Sequence, residues 1–402
     1  MTGKQRILLV HNYYKLPGGE DTVVENEKRL LEEHGHEVFL YTRSNRELDS
    51  LGPLGKLCLL LTALFSAKTY REVRRLILQK RIDIVQVHNT LSLISPSVYY
   101  AAFSCGVPVV QTIHNFRLLC PAATFVRDGR ICEDCLKRGL FCSLKHSCYR
   151  GSRLQTLVSA AVLKLHRLLG TYRRLYYICL TEFNREKLLS LNQRGKERIR
   201  EERVFVKPNF AWDPAGWTGG AEKISRKDQY IYAARLEKLK GIRTLLEAWR
   251  ELPDKPLIIC GSGPEEEWVR QYVEENRMTQ VRLAGQLPHD QVLRLLAESR
   301  ALILPTLWYE GQPMAILESY AVGTPVLASD LGNAGAMVLP GVTGFRFPPG
   351  SPEGLREAVE QVEQAAGLDP RSVFESRYTP EKNYRILKDI YDYAERKEGS
   401  HV

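Results

Sequence analysis

ALILPTLWYEGQPMAILESYAVGTPVLASD, residues 301–330, reads as a strand, a turn, a helix and a second strand. ALILPT (301–306) and PVLASD (325–330) are short runs of nearly continuous apolar character, the pattern of strands buried on both faces. Between them Gln312-Pro313 opens a helical pattern. Proline suits the first helical turn, where its missing N–H has no intrahelical partner to lose. Strand, helix and strand in so short a span predict a parallel βαβ unit.

The same unit recurs along the chain. Apolar runs stand at RILLVHNYY (6–14), EVFLYT (37–42), DIVQVHN (83–89), PVVQTIHN (108–115), LYYICLT (175–181) and VFVKPNF (204–210). A second series runs through YIYAARL (230–236), PLIICG (256–261), VRLAG (281–285), the two strands above and GFRF (344–347). Two series joined near Pro208 predict an α/β chain of two facing Rossmann-like domains with parallel sheets. The expected boundaries are 1–207, with a cysteine-rich insert at 120–148, then 208–379, then a helix over PEKNYRILKDIYDYAERK (380–397). Ligands are expected in a cleft at the carboxyl ends of the strands.

A chain of 402 residues is too long for one ordinary core, and 44% hydrophobic with 26% charged residues is ordinary globular composition. MTGKQRILLV runs directly into a strand without a signal-peptide pattern. The longest apolar run, LCLLLTALF (57–65), is far shorter than the about 20 residues of a spanning helix. These features predict a cytoplasmic protein with reduced thiols. The net charge of +10 is concentrated: residues 56–81 carry +6 and residues 150–203 carry +8. Clustered positive charge suits a membrane surface, nucleic acid or a phosphorylated substrate. Leu57, Leu60, Leu61, Leu64 and Phe65 fall at i, i+3, i+4, i+7 and i+8 of a helix, with Lys56, Lys68, Arg71, Arg74 and Arg75 around and after that face. Two readings stay open there: a helix packed on the first sheet, and an interfacial helix on acidic lipid.

Four stretches carry candidate chemistry. Glu310 falls near the start of the helix after Pro313, and Glu318 about two turns along it. Carboxylates so placed can accept hydrogen bonds from sugar or ribose hydroxyls while helix N–H groups face an anion. The plainer reading makes Glu310 a cap and Glu318 a surface acid. In AARLEKLKGIRTLLEAW (233–249), Arg235 ends a strand and Lys240 precedes Gly241 and a helix. Two cations at such a turn suit a diphosphate leaving group, or are ordinary loop charges. In HNYYKLPGGED (11–21), Gly18-Gly19 lets backbone N–H groups approach a phosphate or sugar, or makes a plain turn. CGSGPEEEW (260–268) lacks the full G-x-G-x-x-G spacing and does not support a nicotinamide site. His114 ends a strand in QTIHNFRLLCP (111–121); it contacts a sugar hydroxyl or is a satisfied structural histidine. No D-x-D pair occurs, so a metal-bridged diphosphate is not suggested.

As an ordered set, GGE, TIHN, AARLEKLKG, GSGP and the Glu-x7-Glu block with GTPVLASD resemble family four of the glycosyltransferases, retaining enzymes with the GT-B fold. The resemblance spans residues 6–395. It implies that Arg235 and Lys240 hold the donor diphosphate, that Glu310 binds the donor sugar and that Glu318 binds the ribose. Gly311, Gln312, Pro313 and Met314 complete the donor site, Gly18 and Gly19 line the phosphate and acceptor side, and His114 lies against the transferred sugar. The final helix would cross back onto the first domain. Catalysis would rest on Arg235, Lys240, Glu310 and His114, with no cofactor required. The chain departs from the family where Gly311-Gln312-Pro313-Met314 replaces Gly-Phe-Gly, where Asn115 stands for Asp, and where LGNAGAMV (331–338) lacks a Glu.

Five of the nine cysteines lie in 120–148. Cys120, Cys132, Cys135 and Cys148 are spaced C-x11-C-x2-C-x12-C, close to structural zinc spacing, with Cys142 and His146 as spare ligands. FVRDGRICEDC (125–135) also looks like a hairpin turning at Asp128-Gly129. Structural zinc, unmetallated thiols and a redox switch all stay open; the first makes the segment a brace that shapes acceptor access. The expected activity is a nucleotide-sugar-dependent hexosyl transfer to a glycan or lipid-linked acceptor in cell-surface polysaccharide or glycolipid synthesis. The protein would be cytoplasmic, peripheral on the inner face of the cell membrane, with an acidic membrane surface as a further partner and no nucleic acid. Rival readings are an inactive GT-B partner subunit, a zinc-containing nucleic-acid-binding protein and a sugar-nucleotide epimerase.

Overall fold

The computed structural model describes residues 3–15, 18–50, 52–91, 93–194, 198–214 and 225–399. The strands are β1 (Arg6–Tyr13), β2 (Glu37–Ser44), β3 (Ile84–Val87), β4 (Val109–Ile113), β5 (Val126–Arg127), β6 (Arg130–Ile131), β7 (Tyr176–Cys179) and β8 (Val204–Val206). They continue as β9 (Tyr230–Ala233), β10 (Leu257–Cys260), β11 (Val281–Gly285), β12 (Ala301–Leu304), β13 (Val326–Ser329) and β14 (Gly344–Phe347). Each of the twelve apolar runs contains a strand. The polar ends His88, Asn89, His114 and Asn115 fall outside the ladders, because the paired backbone stops where the buried apolar run stops.

Two compact units result. One comprises residues 1–125, 132–209 and 381–402; the other comprises 126–131 and 210–380. The first holds a parallel six-stranded sheet of order β2-β1-β3-β4-β7-β8. The second holds a parallel six-stranded sheet of order β11-β10-β9-β12-β13-β14. β5 and β6 form the hairpin, turning through Asp128 (φ 52°) and Gly129 (φ 72°) as a two-residue turn of that type requires.

Burial on both faces explains why the strands are apolar without strict alternation. In the second unit Tyr230, Tyr232, Leu257 and Ile259 pack on Leu245, Trp249, Leu355 and Val359. Their neighbours Ile231, Ile258, Leu302 and Leu304 pack on the opposite face with Ile316, Leu317, Tyr320 and Phe374. In the first unit Ile7, Leu9, Ile84, Val110, Tyr176 and Ile178 share a core with Leu387, Ile390, Tyr391 and Ala394. Those four lie at i, i+3, i+4 and i+7 of the helix Pro380–Gly399, so one apolar stripe docks it on the first sheet.

The apolar face anticipated over Leu57–Phe65 is not one helix. Helices Pro53–Thr62 and Ala67–Lys80 are separate, and Leu64 and Phe65 occupy the turn between them. Ser66 makes the break: its hydroxyl accepts the Thr69 N–H and caps the second helix. The side chains of Lys56 and Leu57 lie outside the described residues. Leu61 is 71% exposed and Phe65 43%. Among the described residues no helix is long and apolar enough to cross a membrane.

Candidate functional site

Strand order reverses between β9 and β12 in the second sheet and between β1 and β3 in the first. Crevices at the carboxyl ends of strands at such points are the usual ligand positions of open α/β sheets. The candidate residues gather at these two places, each within its own unit.

In the second unit the chain leaves β9 through Arg235 and a short turn, Lys238–Lys240. Gly241 follows at φ +74°, and a Cβ there would lie 1.7 Å from the Pro305 carbonyl oxygen. Only glycine permits that approach, which sets the Lys240 turn against the end of β12. Lys240 Nζ then donates to Glu310 Oε1 at 2.8 Å and Oε2 at 3.0 Å. The buried Glu310 carboxylate also accepts from the Thr306 hydroxyl at 3.0 Å and Trp308 Nε1 at 2.7 Å. Asn333 Nδ2 donates to the Glu310 carbonyl at 2.6 Å and to the Gly311 carbonyl. The loop is therefore fixed through both its side chain and its backbone. Gln312 is buried, Pro313 precedes the helix Met314–Ala321, and Met314 is half-buried.

Lys240 and Glu310 are thus brought together directly. Arg235 shares their loop but is half exposed and pairs with Glu237 at 2.7 Å. Glu318 pairs with His289 Nε2 at 3.0 Å, and that carboxylate pushes the imidazole above its ordinary value. Thr306, Trp308 and Asn333 were not found by sequence reasoning, because nothing local marks them as partners of Glu310. The missing Glu in LGNAGAMV was the available signal: Asn333 sits there.

In the first unit Gly18 caps the helix Gly19–Glu33. Asp21 accepts the Gly18 N–H at 2.9 Å and meets the buried His11 Nε2 at 2.7 Å. Beside them the Glu20 carboxyl is pushed up to about 7, by burial first, against the lowering influence of His11, the Tyr14 hydroxyl and Arg117, with Asp21 adding to the rise. Tyr14 donates to Glu20 Oε2 at 3.0 Å, while Glu20 Oε1 is buried with no partner among the described residues. The native carboxyl holds its proton between about 4.5 and about 7, where the unfolded chain has lost it, so stability falls as pH rises through that window. Glu20→Gln should remove this fall. Melting temperatures across pH 4–8 check it, and parallel curves for both proteins would exclude Glu20 as the source.

His114 follows β4 and meets His88 at the end of β3, Nε2 to Nδ1 at 2.8 Å. Burial holds both imidazoles well below the ordinary histidine value, so both are neutral. His88 Nε2 lies 3.3 Å from Glu27 Oε2, off the line of a good hydrogen bond but close enough for the carboxylate to repel a lone pair. The His88 proton therefore sits on Nε2, and Nδ1 accepts from His114 Nε2–H. His114 Nδ1 keeps a lone pair, with no protein partner among the described residues. Glu27 itself is fully buried, accepts from Gln86 Nε2 at 2.8 Å and pairs with the fully buried Lys207.

Cys120, Cys132, Cys135 and Cys148 occupy one segment, with the Cys135 thiol pushed up to about 12 by burial and then by Cys120, Cys148 and Cys142. Burial pushes the Cys120 thiol up as well, against the lowering influence of the backbone N–H groups of residues 122–125. The donor chemistry fits zinc, although among the described residues no three of His, Cys, Asp and Glu are closed around a metal position.

Residues 17–200 match the family model Glycosyltransferase Family 4, and residues 220–392 match Glycosyl transferases group 1. The chain belongs to the family 4 glycosyltransferases. Its relatives include a glycogen synthase of Mycobacterium tuberculosis, 32% identical over 37% of this chain and 37% of that protein. The amylovoran biosynthesis glycosyltransferase AmsK of Erwinia amylovora is 27% identical over 40% of this chain and 44% of its own length. The chain thus spans less than half the length of these curated relatives. Among solved structures, a glycosyltransferase of Rickettsia africae superposes with a TM-score of 0.67 at 17% identity, covering 97% of this chain and 98% of that one. Anabaena HepE in complex with UDP gives 0.64 at 17% identity, covering 96% and 100%. The two six-stranded parallel sheets and these neighbours make the fold α/β of the GT-B type.

Proposed function

We propose that this family 4 glycosyltransferase is a retaining enzyme that moves a hexose from a nucleotide-diphosphate donor to a glycan or lipid-linked acceptor in cell-surface polysaccharide or glycolipid synthesis. The observation that carries the reading is the Lys240–Glu310 pair, fixed at the switch point of the second sheet. HepE, crystallised with UDP and with UDP-glucose, and AmsK, named for polysaccharide synthesis, support the same donor and product classes.

In the proposed reaction the acceptor hydroxyl oxygen bonds to the anomeric carbon as the bond from that carbon to the diphosphate breaks. The diphosphate leaves with the bonding pair and takes the acceptor's proton, so atoms and charge balance. Lys240 and Arg235 stabilise the charge that develops on the diphosphate, with no metal needed for catalysis. Glu310 accepts hydrogen bonds from donor-sugar hydroxyls within the loop Gly311–Met314, and Glu318 takes the ribose. Gly19 presents its backbone N–H beside Gly18, whose own N–H is held by Asp21, and the His114 Nδ1 lone pair accepts from a hydroxyl of the transferred sugar. A lipid-linked acceptor would hold the protein peripherally at the inner face of the membrane.

The test is a thermal-shift screen against UDP, GDP, ADP and their sugar conjugates, followed by turnover with the donor that binds. A rise with one nucleotide class fixes the base by linkage. No rise with any nucleotide, together with no turnover, overturns the reading.

Structural zinc held by Cys120, Cys132, Cys135 and Cys148 belongs to the same proposal, as a brace beside the acceptor side. The spacing of the four cysteines and the influence of Cys120, Cys148 and Cys142 on the Cys135 thiol support it. One zinc per chain is expected on purification, and Cys132→Ser with Cys135→Ser should lose it while nucleotide binding persists. Unchanged metal content in that double variant refutes the ligand set.

A further inference from the structure

The donor and acceptor residues lie at the carboxyl ends of the strands. At the opposite, amino-terminal edge of the first sheet is a pocket of about 380 Å³ that none of them touches. It opens where the chain enters β4, β7 and β8: Pro108 and Val109 start β4, Arg173 and Arg174 precede β7, and Arg200 and Arg203 precede β8. Four arginines face it against one carboxylate, Glu398 of the last helix. His114 lies beyond the other end of β4, about 16 Å away along five extended residues.

Two of the four guanidinium groups are held in place. Arg174 stacks on the Phe103 ring at 3.8 Å, and Arg203 lies over Tyr176 at 4.4 Å. Arg203 is buried, donates to the Arg174 carbonyl at 2.7 Å and pairs with Glu398 at 3.1 Å, so its own charge is already answered. Arg174 and Arg200 have no carboxylate partner among the described residues. A concave site in which Arg174 is held against Phe103 and neither Arg174 nor Arg200 is answered by a carboxylate among the described residues suits the oxygens of a phosphate group.

The pocket's rim identifies the kind of phosphate. Gly170 lines the pocket, and the two residues before it, Leu168 and Leu169, are 72% and 61% exposed. They end the helix Arg153–Leu168, whose Leu154, Leu157 and Leu165 are exposed as well. His166 of that helix bonds the Leu64 carbonyl at 3.1 Å, which brings the exposed Leu61 and Phe65 to the same flank. Exposed leucines beside an anion pocket are ill placed for water and well placed for a bilayer surface. We propose that this pocket binds the phosphate of an anionic lipid headgroup, with Leu168 and Leu169 entering the acyl boundary beside it.

The experiment is co-sedimentation of the full chain with vesicles of phosphatidylcholine alone or with added phosphatidylglycerol. The wild type should bind only the anionic vesicles. Arg173→Gln with Arg200→Gln should weaken that binding about 30-fold, as expected for two basic groups lost at an acidic surface. The triple variant Arg71→Gln, Arg74→Gln and Arg75→Gln removes more charge from the helix Ala67–Lys80 and should weaken it less. Leu168→Asp with Leu169→Asp should lose vesicle binding yet keep any thermal shift caused by inorganic phosphate. Unimpaired binding by the Arg173/Arg200 variant at an unchanged melting temperature overturns the proposal. A larger loss in the triple variant overturns it in favour of diffuse attraction along that helix. A thermal shift with inorganic phosphate that needs Arg173 and Arg200, with no vesicle binding by the wild type, overturns the lipid and assigns a soluble phosphate.

Discussion

Lys207→Ala should destabilise the first unit by about 3–5 kcal/mol, the usual cost of removing one partner from a buried ion pair. Lys207 and Glu27 are both fully buried and paired, and Lys207 Nζ also donates to Asn383 Oδ1 at 3.1 Å. Without the ammonium, Glu27 keeps, among the described residues, only Gln86 and the misaligned His88 to answer its charge. A loss of that size removes much of the 5–15 kcal/mol that holds a typical domain folded. All five tryptophans lie between residues 212 and 308, so their fluorescence reports the second unit. Hydrogen exchange in β1 and β3 under denaturant reads the first. Lys207→Met with Glu27→Gln should recover much of the loss, since no unpaired charge then remains. A cost under about 1 kcal/mol for Lys207→Ala would show that Glu27 takes up a proton cheaply or reaches water.

Lys240→Ala should lower turnover at saturating donor by ~10²-fold or more, as for loss of one preorganised charge stabiliser. The structure ranks it above Arg235→Ala. Lys240 is mostly buried and fixed by both Glu310 oxygens, whereas Arg235 is half exposed and already paired with Glu237, where solvent screens its charge. The ammonium also holds both oxygens of the Glu310 carboxylate, so its removal frees the side chain proposed to bind the donor sugar. Steady-state rates with the nucleotide identified by thermal shift give the comparison. Unchanged turnover for Lys240→Ala at saturating donor would remove Lys240 from the charge-stabilising role.

Much of this was legible in the chain. A strand buried on both faces has to be an apolar run, whatever lies beside it, and the eight inner strands were legible for that reason; the four edge strands β2, β8, β11 and β14 are only partly buried. The hairpin at Asp128-Gly129 was legible because a two-residue turn with positive φ at both positions admits few residue types. The positions of Arg235 and Lys240 after β9, and of Glu310 before and Glu318 within the helix Met314–Ala321, were legible from the alternation of strand and helix patterns. The reading of Leu57–Phe65 as one helical face failed on a local detail: Leu64 and Phe65 keep helical spacing across a turn that the Ser66 cap closes.

The sequence by itself determined the α/β class, the strands and the last helix, because each follows from periodicity within a short window. Only the tertiary structure decided the order of the strands and therefore which strand ends share a switch point. It also decided that Lys240 reaches Glu310 seventy residues on, that Lys207 answers Glu27 across 180, and that His88 fixes the proton of His114. These pairings depend on where each crossover returns the chain, and burial then gives them their energy by removing the water that would otherwise answer the same charges.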